Sequence, residues 1–181
     1  FTGHGLPAAI GALPLAEVFH GMVSKGFALE DVLREVNAKL KSILPVGVFC
    51  CATAVHLGYR NRSIEVWAGG LPEGVIYNTL TRDIKQIKSN HLPLGILGQA
   101  QFKYEPAYFE MANDDVIYLW SDGMIETVNA DNEMFGFERL LDVFANTSDK
   151  TQVFDEILRS VQDFAVIDSE QADDHTLIAV R

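Results

Sequence analysis

Apolar residues in the first quarter of the chain recur three or four positions apart, which is helical spacing. They predict a helix over residues 7–23, and Pro14 should kink or split it. A second helix is predicted over residues 29–43, where charged residues separate the apolar ones and Pro45 follows the end. The chain therefore begins with two helices.

Helical spacing returns in the last third of the chain. After Phe135-Gly136-Phe137, the apolar residues over 140–144 predict a short helix. Residues 153–164 carry one apolar stripe and predict a longer helix, with the polar pair Ser148-Asp149 as its cap.

Strand patterns occupy the middle of the chain. A β-rich run over 46–59, a turn at 59–62 and alternation over 64–68 predict an antiparallel hairpin, which Gly69-Gly70 ends. Further strands are predicted at 75–77, 102–111, 116–120 and 176–180. Because strands cluster between helices instead of alternating with them, the pattern favours an α+β fold in which helices cover largely antiparallel sheets.

Length and charge narrow the class of protein. The 181 residues fit one domain, and the formal net charge of −11 disfavours a nucleic-acid surface because phosphate backbones need clustered Lys and Arg. No apolar run is long enough for a membrane span, and the first residues lack a signal-peptide pattern, so we expect a cytoplasmic protein. The adjacent Cys50 and Cys51 are interpreted as buried structural thiols.

Two acidic turns are candidates for chemistry. Ser121-Asp122-Gly123 follows the apolar strand at 116–120, and Asp173-Asp174 precedes the strand at 176–180. If these strands are neighbours, Asp122 and Asp173 lie side by side and would repel each other unless a cation lay between them. Oxygen ligands of this kind favour Mg²⁺ or Mn²⁺ over zinc. The alternative is that Asp122-Gly123 is only a strand-ending turn.

Six short motifs, in order along the chain, carry a family resemblance. They are T-G-H-G-L-P-A-A, A-G-G-L-P, L-P-L-G-I-L, S-D-G-M-I-E, F-G-F-E-R-L and D-D-H-T-L-I-A-V-R. The set resembles the metal-dependent protein phosphatases of the type 2C (PPM) superfamily, and more closely its bacterial branch typified by SpoIIE and RsbU. The resemblance covers nearly the whole chain.

The resemblance implies a fold, a reaction and a cofactor. The expected fold is an α+β, layered α-β-β-α sandwich of two largely antiparallel sheets flanked by helices. The expected activity is hydrolysis of phosphoserine or phosphothreonine by water that two Mn²⁺ or Mg²⁺ ions activate, without a phosphoenzyme. The alternative is a regulatory or dimerisation module that keeps this fold without catalysing a reaction.

The resemblance also assigns residues. Asp122 matches the second metal-binding aspartate of the family and Asp173 the third, and both are expected to be catalytic. Gly123 and Asp174 adjoin these ligands. Glu126 matches a glutamate with an orienting role, although a solvated helix residue is equally compatible with the pattern.

The N-terminal motif raises a question about completeness. Relatives carry a bridging aspartate a few residues before the G-H-G turn, and here that position would precede Phe1, whose backbone carbonyl would be a metal ligand. His4 and Gly5 are expected to shape the backbone beside the metals, with a direct chemical role for His4 as the alternative. We expect that N-terminal strands are missing and that residues 1–181 form the C-terminal part of a larger regulatory protein.

Partners follow from the resemblance as well. The substrate would be a phosphorylated protein, an anti-sigma-factor antagonist of the kind that this branch serves. An upstream receiver or sensor domain, as in two-component response regulators, is expected, and a homodimer is compatible with the family. The helices over 6–23 and 29–44 match the region through which relatives switch activity.

Overall fold

The computed structural model describes residues 1–2, 6–165 and 174–181. Its helices are α1 (Leu6–Val23), α2 (Leu29–Ile43), α3 (Asp122–Glu126), α4 (Gly136–Asn146) and α5 (Val153–Phe164). Its strands are β1 (Ala52–Gly58), β2 (Ser63–Gly69), β3 (Gly74–Asn78), β4 (Ile84–Ile87), β5 (Ala107–Glu110), β6 (Asp115–Trp120) and β7 (Leu177–Val180).

The chain divides into two compact units, each with one antiparallel sheet and its own helices. The first comprises residues 1–71 and 89–110, and the second comprises residues 72–88 and 111–181. The sheet of the first unit has the strand order β1-β2-β5, and that of the second has the order β4-β3-β6-β7. The predicted α+β class with two antiparallel sheets is confirmed.

In the first unit, α2 packs its apolar stripe against the sheet. Val32, Val36 and Leu40 are buried and share an apolar cluster with Trp67 of β2 and with Phe102. The predicted hairpin is present, because β1 pairs antiparallel with β2 around the turn at 59–62. The helical spacing of α2 therefore determines which of its faces is covered.

Two local predictions about the first unit differ from the structure. The helix α1 is continuous although it contains Pro14, so the predicted split is wrong. The strand predicted over 102–111 is shorter than expected, since β5 covers only Ala107–Glu110. Phe102 instead places its ring in the apolar cluster, and Pro106 has no N–H for a ladder hydrogen bond.

In the second unit, α4 and α5 cover one face of the sheet. The alternating residues Tyr77, Tyr118 and Trp120 point to that face and share a cluster with Phe144 and Ile157. Phe144 lies between two tyrosine rings, with ring centroids 5.2 Å from Tyr77 and 5.0 Å from Tyr118. The apolar run predicted as a buried strand is thus β6 at the centre of this sheet.

Two features of the second unit were not predicted. The edge strand β4 was missed because it is only four residues long and carries exposed polar side chains, including Lys85. The N-cap of α5 is Gln152 and not Ser148-Asp149. The carboxylate of Asp149 accepts hydrogen bonds from Thr151 and Gln152, which form a turn before the helix begins.

Among the helices in the described ranges, none combines the length and the apolar character that a membrane span requires.

Candidate functional site

The two acidic segments are brought together by the pairing of β6 with β7. These strands are antiparallel neighbours, with Trp120 opposite Leu177. Beyond the last pair, the backbone N–H of Ser121 donates to the carbonyl of Thr176 at 3.0 Å. The end of β6 therefore lies beside the start of β7, which is the adjacency that the prediction of an acidic site required.

Ser121 adds two hydrogen bonds between the same segments. Its hydroxyl donates to the carbonyl of Asp174 at 2.8 Å and accepts from the backbone N–H of Thr176 at 3.0 Å. A serine hydroxyl can donate once and accept at the same time, so this side chain satisfies backbone groups on both sides of His175. The residue before Asp122 is thereby fixed to the backbone of the Asp174 segment.

Asp122 is the first residue of α3, and it is exposed. The tight turn predicted here is in fact a short helix, because the chain turns into helical geometry directly after the extended Ser121. Met124 is fully buried in the apolar cluster of the second unit and anchors α3 there. The backbone N–H of Gly123 donates to Oδ1 of Asp122 at 3.1 Å, so one carboxylate oxygen has a defined direction.

A second connection joins the same two segments on the far side of α3. Thr127 Oγ1 donates to the carbonyl of Gly123 at 2.7 Å and lies 2.9 Å from Nε2 of His175. This contact could hardly be predicted from the sequence, since a threonine four residues after a glycine is common. Only the strand pairing brings the two side chains together.

The remaining predicted site residues lie in different places. Glu126 is exposed at the last position of α3, and Asp174 is exposed at the start of the segment that leads into β7. His4, Gly5 and Asp173 lie outside the described residues.

Phe1 belongs to the first unit, where its ring joins the apolar cluster around α2. A Cβ on Gly11 would clash with that ring, so glycine permits this close approach. Thr2 then fixes the chain, because its backbone N–H donates to the carbonyl of Phe49 at 2.9 Å.

The donor atoms present decide which metals the site could suit. Asp122 and Asp174 offer carboxylate oxygens, the ligands of hard cations such as Mg²⁺ and Mn²⁺. The described residues contain no group of three or more His, Cys, Asp or Glu side chains arranged to hold a metal. Burial raises the pKa of the Cys50 thiol, which disfavours the thiolate form that zinc requires.

Comparison with known proteins gives one family and a group of similar folds. The family description "Stage II sporulation protein E (SpoIIE)" matches residues 1–181. No curated protein matches significantly. The PP2C domain of SiaA from Pseudomonas aeruginosa has a TM-score of 0.81 and 16% identity, and the match covers 99% of this chain and 72% of that one.

Two further solved structures come from larger proteins. The SpoIIE phosphatase domain with a regulatory fragment, from Bacillus subtilis, has a TM-score of 0.74 and 15% identity over 98% of this chain and 51% of that one. The RsbU and RsbW domains of a Mycobacterium tuberculosis protein have a TM-score of 0.75 and 18% identity over 98% of this chain and 49% of that one. The chain thus spans about half the length of these two structures.

Proposed function

The chain belongs to the SpoIIE family and has the PP2C fold, and on that basis we propose that it is the catalytic domain of a metal-dependent phosphoserine and phosphothreonine protein phosphatase. The observation that carries this proposal is the junction of β6 and β7, where Ser121 bonds to the backbone of Asp174 and Thr176. Two acidic segments that are about fifty residues apart in sequence meet there, as a shared cation site requires.

The proposed cofactor is a pair of Mn²⁺ or Mg²⁺ ions. Asp122 and Asp173 would hold them, with the backbone carbonyl of Phe1 as a further ligand. When bound, the ions supply Lewis-acid activation of water and neutralise charge on the phosphoryl group. RsbX, which has this fold with a TM-score of 0.69 and 12% identity, was solved in complex with magnesium.

The protein's own groups would prepare the site for this chemistry. The Gly123 N–H directs one oxygen of Asp122. The hydroxyl of Ser121 holds the two acidic segments together without adding charge. Gly123 and Asp174 would lie beside the ligands, and Glu126 would orient groups around them. His4 and Gly5 are proposed to shape the backbone beside the metals.

The proposed substrate is a phosphorylated protein, an anti-sigma-factor antagonist in bacterial signalling in the cytoplasm. The proposed regulatory partner is a receiver or sensor domain upstream in the same protein, with a homodimer as the proposed assembly.

Within this proposal, α1 and α2 would transmit the regulatory signal. Hydrogen exchange of the full-length protein with and without its activating signal tests that role, and unchanged protection in both helices would contradict it.

Phosphate release from a phosphoserine protein tests the activity directly. We expect the full-length protein to release phosphate with Mn²⁺ or Mg²⁺, to lose activity in EDTA, and to lose at least about a hundredfold in kcat in Asp122→Asn and Asp173→Asn. Asp163→Asn, on the exposed surface of α5, is the matched control and should retain activity. Full activity in EDTA would contradict the proposal. Partner binding without phosphate release would favour the non-catalytic regulatory module.

A further inference from the structure

The contact between His175 and Thr127 has a defined direction. A carbonyl oxygen can only accept, so the single hydroxyl hydrogen of Thr127 is the one donated to Gly123 at 2.7 Å. The hydroxyl oxygen then accepts from Nε2 of His175, which is 2.9 Å away. His175 must therefore carry a hydrogen on Nε2, and the chain of donors runs from His175 through Thr127 to the carbonyl of Gly123.

This chain of hydrogen bonds joins two elements that carry the acidic residues. Gly123 follows Asp122 in α3, and His175 follows Asp174 before β7. The hydroxyl of Ser121 joins the same elements on the N-terminal side of α3. Hydrogen bonds of Ser121, which precedes α3, and of Thr127, which follows it, thus hold both ends of this short helix to the segment that leads into β7.

We propose that His175 is a positioning residue for the metal site, and that it holds α3 against the segment at Asp174 through the hydroxyl of Thr127. This inference rests on the proposed function. Two carboxylates without a cation repel each other, so the free protein needs uncharged contacts that keep the two segments at a fixed separation. A site held in its binding geometry before the ion arrives loses less free energy on binding. Because His175 acts through the hydroxyl of Thr127, its effect should fall on metal affinity.

Direct measurement of Mn²⁺ binding to the full-length protein, by calorimetry or by the spin-resonance signal of free Mn²⁺, tests this role. We expect His175→Ala and Thr127→Val each to weaken binding about tenfold, the lower end of the effect seen for residues that orient metal ligands. The double variant should bind no more weakly than either single variant, because both remove the same connection. The concentration of Mn²⁺ that gives half-maximal phosphate release should rise by the same factor, with kcat at saturating Mn²⁺ close to the wild-type value.

Conservative variants separate positioning from a general loss of structure. Thr127→Ser keeps the hydroxyl, and His175→Gln can place an amide N–H near the position of Nε2, so both should restore most of the affinity. His56→Ala, on the exposed side of β1, is the control and should bind as the wild type does. Thermal unfolding in EDTA should show that every variant compared is folded.

The outcomes also separate this inference from the proposed function. Wild-type affinity in His175→Ala, additive losses in the double variant, or failure of His175→Gln and Thr127→Ser to restore binding would each overturn the positioning role. Mn²⁺ binding that depends on His175 in a protein that releases no phosphate would support the positioning role and contradict the phosphatase. A wild-type protein that binds no Mn²⁺ would overturn both.

Discussion

The hydroxyl of Ser121 donates a hydrogen bond of 2.8 Å to the backbone carbonyl of Asp174, across 53 residues of sequence. The same hydroxyl accepts from the backbone N–H of Thr176 at 3.0 Å. The side chain of Ser121, immediately before Asp122, thus holds together the two segments that lie beyond the paired ends of β6 and β7. Without it, the strands would still pair, but the acidic ends beyond them would be less closely held.

Replacing Ser121 tests this relationship. Ser121→Ala removes both hydrogen bonds, and because the groups involved are exposed and water can replace the hydroxyl, we expect a cost of only about 1 kcal/mol in the free energy of unfolding. The larger effect should be a loss of Mn²⁺ affinity of a few fold, measured by calorimetry on the full-length protein. Ser148→Ala, at an exposed position before α5, is the control for stability and binding. Unchanged Mn²⁺ affinity in Ser121→Ala would show that strand pairing positions the site without this hydroxyl.

The core of the second unit gives a prediction about stability. Phe144 is fully buried between Tyr77 and Tyr118, so Phe144→Ala removes a ring from a packed interior and should cost about 3–5 kcal/mol in the free energy of unfolding. Phe27→Ala is the matched control, because the ring of Phe27 is 51% exposed and should cost about 1 kcal/mol or less. Urea denaturation measures both. Equal losses in the two variants would mean that burial at Phe144 is not what stabilises this unit.

Periodicity predicted the elements whose burial is regular. The residues at helical spacing in α2 and the continuous apolar run of β6 each allow one buried arrangement, so these elements lie where the pattern placed them. The edge strand β4 has no such requirement, because its polar side chains face water and its pairing with β3 uses backbone groups that every sequence has. A sequence pattern indicates which side chains are buried. It indicates which strands pair only where the pairing also buries side chains.

In the candidate site, too, some residues could be predicted from local sequence patterns and others could not. Asp122 and Asp173 could be proposed as candidates because each adjoins an apolar strand, and the family resemblance implied the roles that are proposed for them. Thr127 could not be identified, because its hydrogen bond to Gly123 is local and its contact with His175 depends on the pairing of β6 with β7. Residues that orient a site across two chain segments become visible only when the segments are placed together.

Asn37 leads to a third prediction, which concerns the loop that contains the L-P-L-G-I-L motif. Its side chain is 1% exposed, donates to the carbonyl of Leu97 at 3.0 Å and accepts from the backbone N–H of Gly95 at 2.9 Å. Asn37→Ala leaves both loop groups without their partner in a buried setting, so we expect a loss of about 2–4 kcal/mol in the free energy of unfolding.

Asn37→Asp is the informative companion variant. It keeps an acceptor for Gly95 but loses the donor to Leu97 and places a charge in a buried position, so it should be at least as destabilising as Asn37→Ala. Urea denaturation and hydrogen exchange at Gly95 measure the two effects. Wild-type protection of the Gly95 amide in Asn37→Ala would contradict a role for Asn37 in holding this loop.

The turn before α5 gives a prediction about pH. The hydroxyl of Thr151 donates to Oδ1 of Asp149 at 2.6 Å and its backbone N–H donates at 3.0 Å, and together these hydrogen bonds lower the pKa of the Asp149 carboxyl below its ordinary value. The folded-state pKa is therefore below the unfolded-state pKa. The ionised carboxylate contributes stability at any pH above the ordinary aspartate value of about 4, and this contribution is lost as the pH falls through the lower, folded-state pKa.

Comparing the melting temperatures of the wild type and Asp149→Asn over a range of pH tests this sign. The neutral amide cannot ionise, so the wild type should be the more stable of the two between about pH 5 and 7, and the difference should shrink as the pH falls below about 4. Thr151→Val removes the hydroxyl donor, which is the largest cause of the lowered pKa, and should reduce this pH dependence while Asp149 remains ionisable. A difference between wild type and Asp149→Asn that stayed constant down to pH 2 would mean that ionisation of this carboxylate does not stabilise the turn.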